Sequence, residues 1–137
     1  MSQENVEAFK RAADAFVRRD IDAILAEYDP EIEWHPGVAG LLAGEKMVYR
    51  GHDGLRQLQE DLDHAFSLVE LHFDEFRDLG EDRILAVGRQ RIRGRDSDIE
   101  TVNPIAYLVE GKAGAFTRVK AFLSAGEALD AAESDST

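Results

Sequence analysis

Cysteine is absent from the 137 residues, which excludes disulfides, thiolate metal sites and thiol nucleophiles. Proline occurs three times and tryptophan once, and no proline-rich or low-complexity stretch marks a linker. Long apolar runs are missing too. The longest spans 38–43, far short of the roughly 20 residues that cross a bilayer. The chain opens on Ser2, Gln3 and Glu4 instead of a basic and then apolar leader. Nothing in it exports or anchors the chain, and the cytoplasm is the expected location. Basic side chains are outnumbered 16 to 28. The resulting formal charge of -12 repels phosphate backbones and anionic headgroups, so neither nucleic acid nor a membrane is an expected partner. What remains, 44% hydrophobic and 32% charged, is the composition of one ordinary globular domain over residues 1–137, with an ordered part of about 4–132.

Periodicity divides that domain into helices and then strands. Val6, Phe9, Ala13, Phe16 and Val17 recur at helical spacing over 4–18, and Asp20 is placed to cap a second helix whose stripe is Ile21, Ile24, Leu25 and Tyr28 before Pro30 stops it. Residues 32–35 alternate as a short strand closed by Pro36-Gly37. The segment 38–51 reads as the longest loop, with a few extended residues at Met47-Val48-Tyr49. Asp53 is the expected N-cap of a third helix carrying Leu55, Leu58, Leu62, Ala65, Phe66 and Val69. The period then switches to two. Segments around 71–73, 84–92, 99–109 and 116–123 read as an antiparallel meander turning at 79–82, 94–97 and 110–112. Ser124 and Glu127 have the spacing of a capping box for a terminal helix, with 133–137 frayed. Helices followed by strands predict an α+β fold, a curved sheet wrapped around the N-terminal helices with a cleft at its open end.

Few residues announce chemistry. There is no Gly-x-Ser-x-Gly elbow, and Gly111-Lys112 lacks the glycine of a phosphate loop and reads as a turn. His35, His52, His64 and His72 show no local metal spacing; neither a metal nor an organic cofactor is expected, although ligands assembled over long range stay open. Arg89, Arg91 and Arg93 alternate on one strand and so share a face. They read either as an anion-binding row or as a ladder paired with Glu70, His72 and Asp74 across a hairpin. His35, beside Trp34 at a strand end, has the near-neutral titration suited to a general base. Alternation sends only one of the two inward, and either assignment fits. Tyr49, Asn103 and Tyr107 are candidates to orient a ligand's polar atoms, and Trp34 and Gln59 to shape its walls.

Three strings carry a family likeness: Asp29-Pro30-Glu31-Ile32-Glu33-Trp34-His35-Pro36, Tyr49-Arg50-Gly51-His52-Asp53-Gly54-Leu55 and Gly126-Glu127-Ala128-Leu129-Asp130-Ala131-Ala132. With the order of elements they resemble the SnoaL-like branch of the NTF2-like superfamily over about residues 4–132. The resemblance implies a cone-shaped α+β fold with an apolar pocket, a small apolar organic molecule as partner and a homodimer formed through the sheet. Because that superfamily hosts isomerases, cyclases and non-catalytic binding domains, it implies a cofactor-independent isomerase or cyclase or, alternatively, a ligand-binding or dimeric assembly module. In ketosteroid-isomerase-like members the base is an aspartate just before the proline ending the first strand, where His35 stands here. Their oxyanion donors fall on Ala12 and about Ile105, which cannot donate. The Asp, Arg, Asp set of epoxide-hydrolase-like members is missing around Arg89-Gln90-Arg91.

Overall fold

The computed structural model describes residues 2–36, 48–112 and 114–135. Most of the loop expected over 38–51, including Met47, lies outside the described residues. Helix α1 (Ser2–Val17) leads through a tight turn into α2 (Ile21–Glu27), where the Asp20 carboxylate accepts from the Ala23 amide at 3.2 Å as the expected cap. Strand β1 (Tyr28–His35) follows without a break, then β2 (Tyr49–Arg50), α3 (Gly51–Ala65), β3 (Phe66–Gly80), β4 (Arg83–Gly94), β5 (Glu100–Lys112), β6 (Ala115–Phe122) and α4 (Ala125–Asp135).

The sheet is six-stranded and open, in the order β2-β1-β6-β5-β4-β3. The expected meander β3 to β6 is antiparallel throughout. At its far end β1 joins β6 in parallel, which makes the sheet mixed. Register shifts in β3 after Phe66, Phe73 and Asp78, and in β1 between Tyr28 and Glu33, are bulges that raise local twist and curl the sheet. Pro104 sits within β5 although it has no N–H to donate. It is tolerated because β6 pairs with β5 only from Ala106 onward, so Pro104 lies on a local edge.

Alternation assigns the two faces. On β4, Ile84, Ala86, Gly88, Gln90 and Ile92 point toward the helices, opposite Val109, Tyr107, Ile105, Asn103 and Thr101 of β5. A core of Phe9, Ala12, Ala15, Ile24, Tyr28, Ile32, Trp34, Leu55, Leu58 and Leu62, with Ile84, Ala86, Ile92, Ile105, Tyr107 and Val109 of the strands, holds α1, α2 and α3 against the concave face. Leu85 and Ala106 face the other way and are covered by Ala128 of α4. That helix starts as the capping pattern demands, the Glu127 amide donating to Ser124 Oγ at 3.2 Å, while the Glu127 carboxylate accepts from the Leu123 amide at 3.3 Å.

Four expectations need correction. Phe66 and Val69 belong to β3, because bonding of 66–80 to β4 over its whole length outweighs the helical period that continues past Ala65. Tyr28 belongs to β1, since the strand begins two residues ahead of Pro30. Asp53 is not the N-cap of α3. That helix begins at Gly51 after Arg50, whose side chain makes no cap bond, and Asp53 lies in the first turn with Arg56 2.9 Å away. The β5–β6 turn falls past Lys112, because the ladder extends to a Lys112–Ala115 pair.

Beyond α4 the outer face carries the arginine row. Arg91 reaches Glu70 at 3.1 Å and Glu100 at 2.8 Å, Arg93 reaches Glu100 at 2.7 Å, and Arg89 lies 3.7 Å from Asp74. Every arginine of the row has a carboxylate partner on a neighbouring strand. Exposed pairs of this kind contribute at most about 1 kcal/mol each.

Candidate functional site

Where the concave face meets α1, α2 and α3, packing leaves two hollows. The first is lined by Phe9, Ala12, Ala13, Phe16, Ile24, Tyr28, Trp34, Leu55, Leu58, Gln59, Leu71 and Tyr107. Pro36, Leu62, Val69, Gln90 and Ile105 add to the wall of the second, which shares Phe16, Trp34, Leu58, Leu71 and Tyr107 with the first. The shared side chains make them two lobes of one cleft. Each lobe leaves about 20 Å³ for the centre of a water molecule, room for about one water. The interior is therefore apolar, as the family resemblance implies, but nearly closed.

The walls are aromatic because alternation and helical spacing send rings to one place. Trp34, buried on β1, lies 6.3 Å from Phe16, 5.9 Å from Tyr28 and 5.8 Å from Tyr107, measured between ring centroids. Phe9 meets Tyr107 at 6.0 Å and Phe73 at 5.4 Å. Tilted and edge-on pairs at these distances are favourable beyond their buried area. Tyr28 is held from behind by His52 at the start of α3, whose Nε2 lies 2.9 Å from the Tyr28 carbonyl. A carbonyl only accepts, so that ring nitrogen carries the proton.

The polar groups of this wall are unusual. Among the described residues the Tyr28 and Tyr107 hydroxyls and the Gln90 carboxamide have no hydrogen-bond partner, although all three residues are buried. Their polar atoms keep contact with open space rather than being sealed among side chains. No carboxylate or imidazole of the described residues lines either lobe. Burial raises the Tyr107 phenol above its ordinary range, and burial, with Tyr107 and Glu27 nearby, does the same for Tyr28. Both stay neutral donors.

The candidates from the sequence separate into two groups. Trp34 and Tyr107 line both lobes and Gln59 lines the first. Tyr49 is buried but donates to Asp61 Oδ2 at 2.6 Å, and Gln57 donates to the other oxygen of that carboxylate at 2.7 Å. Asn103, partly exposed near the rim, donates to Thr101 Oγ1 at 3.3 Å. Neither Tyr49 nor Asn103 is part of the lining. His35 projects from the face of β1 opposite Trp34, where its Nε2 is 3.3 Å from Glu33 Oε1. Arg50 lies 3.2 Å from Glu33 and Arg118 3.9 Å from it. The bond from His35, then the charges of Arg50 and Arg118, hold the Glu33 carboxyl below its ordinary range. Among the described residues no cluster of three His, Cys, Asp or Glu side chains is placed to hold a metal ion, and no helix is long and apolar enough to cross a membrane.

Sequence reasoning missed Tyr28 and Gln90. The signal for Gln90 was available: arginines at 89, 91 and 93 must reach water, and period two then turns residue 90 inward. Tyr28 was hidden by its fit to the helical stripe of α2.

No protein-family model matches the chain, and no curated protein sequence does. Solved structures do. An NTF2-like protein of unknown function from Burkholderia pseudomallei matches with a TM-score of 0.79 at 20% identity, covering 93% of this chain and 95% of that one. TerC, co-crystallised with polyporic acid, matches with a TM-score of 0.77 at 22% identity over 95% and 98%. A candidate polyketide cyclase from Xanthomonas campestris matches with a TM-score of 0.77 at 16% identity over 92% and 94%. The fold is thus NTF2-like, a curved mixed sheet wrapped around helices.

All three tyrosines of the chain have phenols raised above the ordinary range, Tyr49 by burial and then by its bond to Asp61. A folded pKa above the unfolded value of about 10 contributes stability that is complete below that pH and lost as pH rises past it. In an alkaline titration, tyrosinate absorbance is expected to appear only together with loss of the native circular dichroism. Tyrosinate forming near pH 10 in a still-folded chain contradicts this assignment.

Proposed function

We propose that the chain binds a small, neutral, largely apolar organic molecule carrying a hydrogen-bond acceptor such as a carbonyl. The observation behind it is the pair of phenols, Tyr28 and Tyr107, held neutral and unpartnered among the described residues in a wall that is apolar apart from Gln59. A hydrogen bond from one of these phenols to an acceptor on a guest contributes about 0.5–1.5 kcal/mol. The polyporic acid of the TerC crystal and the polyketide chemistry suggested for the Xanthomonas protein support a small organic guest in this fold. Because each lobe holds about one water, entry of a guest rotates the shared Phe16, Trp34 and Leu71 side chains and merges the lobes.

Isomerisation or cyclisation by proton transfer needs a base at the guest. His35, the base candidate, bonds to Glu33 on the opposite face of β1, so binding rather than turnover is the reading we adopt. A homodimer through the sheet and a cytoplasmic location remain part of the same proposal.

Trp34 is the only tryptophan and lines both lobes, so its fluorescence reads occupancy directly. Titration with 2-acetylnaphthalene is expected to quench it saturably, with an affinity insensitive to salt because no charge lines the cleft. Tyr107→Phe is expected to weaken binding by about two- to tenfold, the worth of one neutral hydrogen bond, and His35→Gln to leave it unchanged. Quenching that never saturates, or an affinity falling steeply with salt, rejects the proposal.

A further inference from the structure

Among the described residues Gln90 is the one polar residue other than the tyrosines that is buried, 7% exposed, and its carboxamide is unpartnered there. It opens into the second lobe, whereas Tyr28 lines only the first and Tyr107 lines both. A carboxamide is donor and acceptor at once. Nothing in the fold needs one here: the flanking inward residues of its strand are Gly88 and Ile92, and its cross-strand neighbours are Leu71 and Asn103. Asn103 itself is bonded to Thr101.

Position adds a length. Tyr107 pairs with Ala86, four residues before Gln90 on β4, which separates the two anchor points by about 13 Å along the strand. The walls between them, Phe16, Trp34, Leu58 and Leu71, are apolar. Tyr28, in the first lobe, and Gln90, in the second, therefore stand at the two ends of a greasy cleft, with Tyr107 between them.

We infer that the preferred guest is a two-ended neutral molecule, an aromatic hydroxyketone in chemical class. Its carbonyl is taken by the tyrosines and its hydroxyl, on the far side of a fused-ring body, by the Gln90 carboxamide. Gln90 is then the specificity-determining residue. This rests on the binding reading above and adds to it the identity of the second polar group.

The test compares 2-acetylnaphthalene with 6-hydroxy-2-acetylnaphthalene by calorimetry on the wild-type chain and on Gln90→Met, which keeps an unbranched side chain and removes the amide. Wild type is expected to bind the hydroxyketone about five- to tenfold more tightly than the ketone, and Gln90→Met to bind the two equally. Without ligand, Gln90→Met is expected to unfold at the same or a higher temperature, because an unpartnered amide stabilises nothing. Gln90→Leu provides the same comparison should the methionine variant fail to fold. A hydroxyl preference that survives in the variants, or is absent in wild type, overturns the inference while leaving ketone binding intact. A lowered unfolding temperature in both variants overturns it too, by making the amide a structural group. Failure of wild type to bind either ketone removes the underlying reading instead.

Discussion

Phe9→Ala is expected to cost about 3–5 kcal/mol, the range for emptying a buried aromatic site, and to lower the unfolding midpoint on the order of 10–20 °C. Phe9 is 2% exposed. Its ring lies 5.4 Å from Phe73, 6.0 Å from Tyr107 and 6.0 Å from Phe116, so one side chain on α1 joins β3, β5 and β6. Truncation removes all three contacts, and the backbones of three strands limit how far the site can collapse. Phe9 also lines the first lobe, so the space created adds to the cleft. Benzene or indole is expected to bind the variant and to recover part of the loss, about 2.7 kcal/mol at a hundred times its dissociation constant. Wild type, with room for about one water per lobe, should gain far less. Urea unfolding of both proteins with and without benzene decides the matter. A loss below 1 kcal/mol, or equal gains in the two proteins, shows that Phe9 does not bound the cleft.

That α1 buries one face was legible in the sequence, because Phe9 and Phe16 recur at helical spacing among charged residues and must be buried somewhere. So was the meander, whose alternation and glycine-containing turns leave little choice of pairing. The parallel placement of β1 beside β6 was not legible. It joins the first strand to the last, and nothing in the local pattern of Ile32, Glu33 and Trp34 encodes a partner more than 80 residues away. The helix ends failed for a related reason: Phe66, Val69 and Tyr28 satisfy the helical period and the strand period alike, and the sheet's hydrogen bonds decide.

The candidate site was legible in its apolar half only. Trp34 and Tyr107 were candidates by ring size and, for Tyr107, by its polar tip, while alternation left open which of Trp34 and His35 faces inward. Tyr49 and Asn103 were plausible for the same reason, but each meets a nearby acceptor, Asp61 or Thr101, and is satisfied locally. Whether a polar side chain is spent within the chain or left for a guest depends on what the fold brings within about 3 Å. His35 illustrates the point: its neighbour Glu33 draws in Arg50 and Arg118 as well, and the resulting ion-pair cluster occupies the face of β1 away from the cleft.

Gly88 carries the second large effect, and it is argued from close approach. An added Cβ would stand 1.9 Å from the His72 carbonyl oxygen and 2.7 Å from Phe73 Cα, both backbone atoms of β3. No side chain can rotate away to make room; the strand itself must move. Gly88 pairs with Phe73 immediately before the bulge at Phe73–Glu75, where β3 curls over the concave face. The absence of a side chain at 88 is what lets the sheet bend there and bring Phe73 onto Phe9. Gly88→Ala is therefore expected to exceed the 1–3 kcal/mol usual for overpacking, a large part of the roughly 5–15 kcal/mol a domain has in total. Gly80→Ala is the control, since Gly80 has a φ of +77° but nothing within 4 Å of an added Cβ. It should cost only the roughly 1–2 kcal/mol of a side chain in the left-handed region. Denaturant unfolding of the two variants beside wild type measures the difference. If Gly88→Ala is no worse than Gly80→Ala, β3 can shift freely, and the bend that brings Phe73 onto Phe9 does not depend on a bare backbone at residue 88.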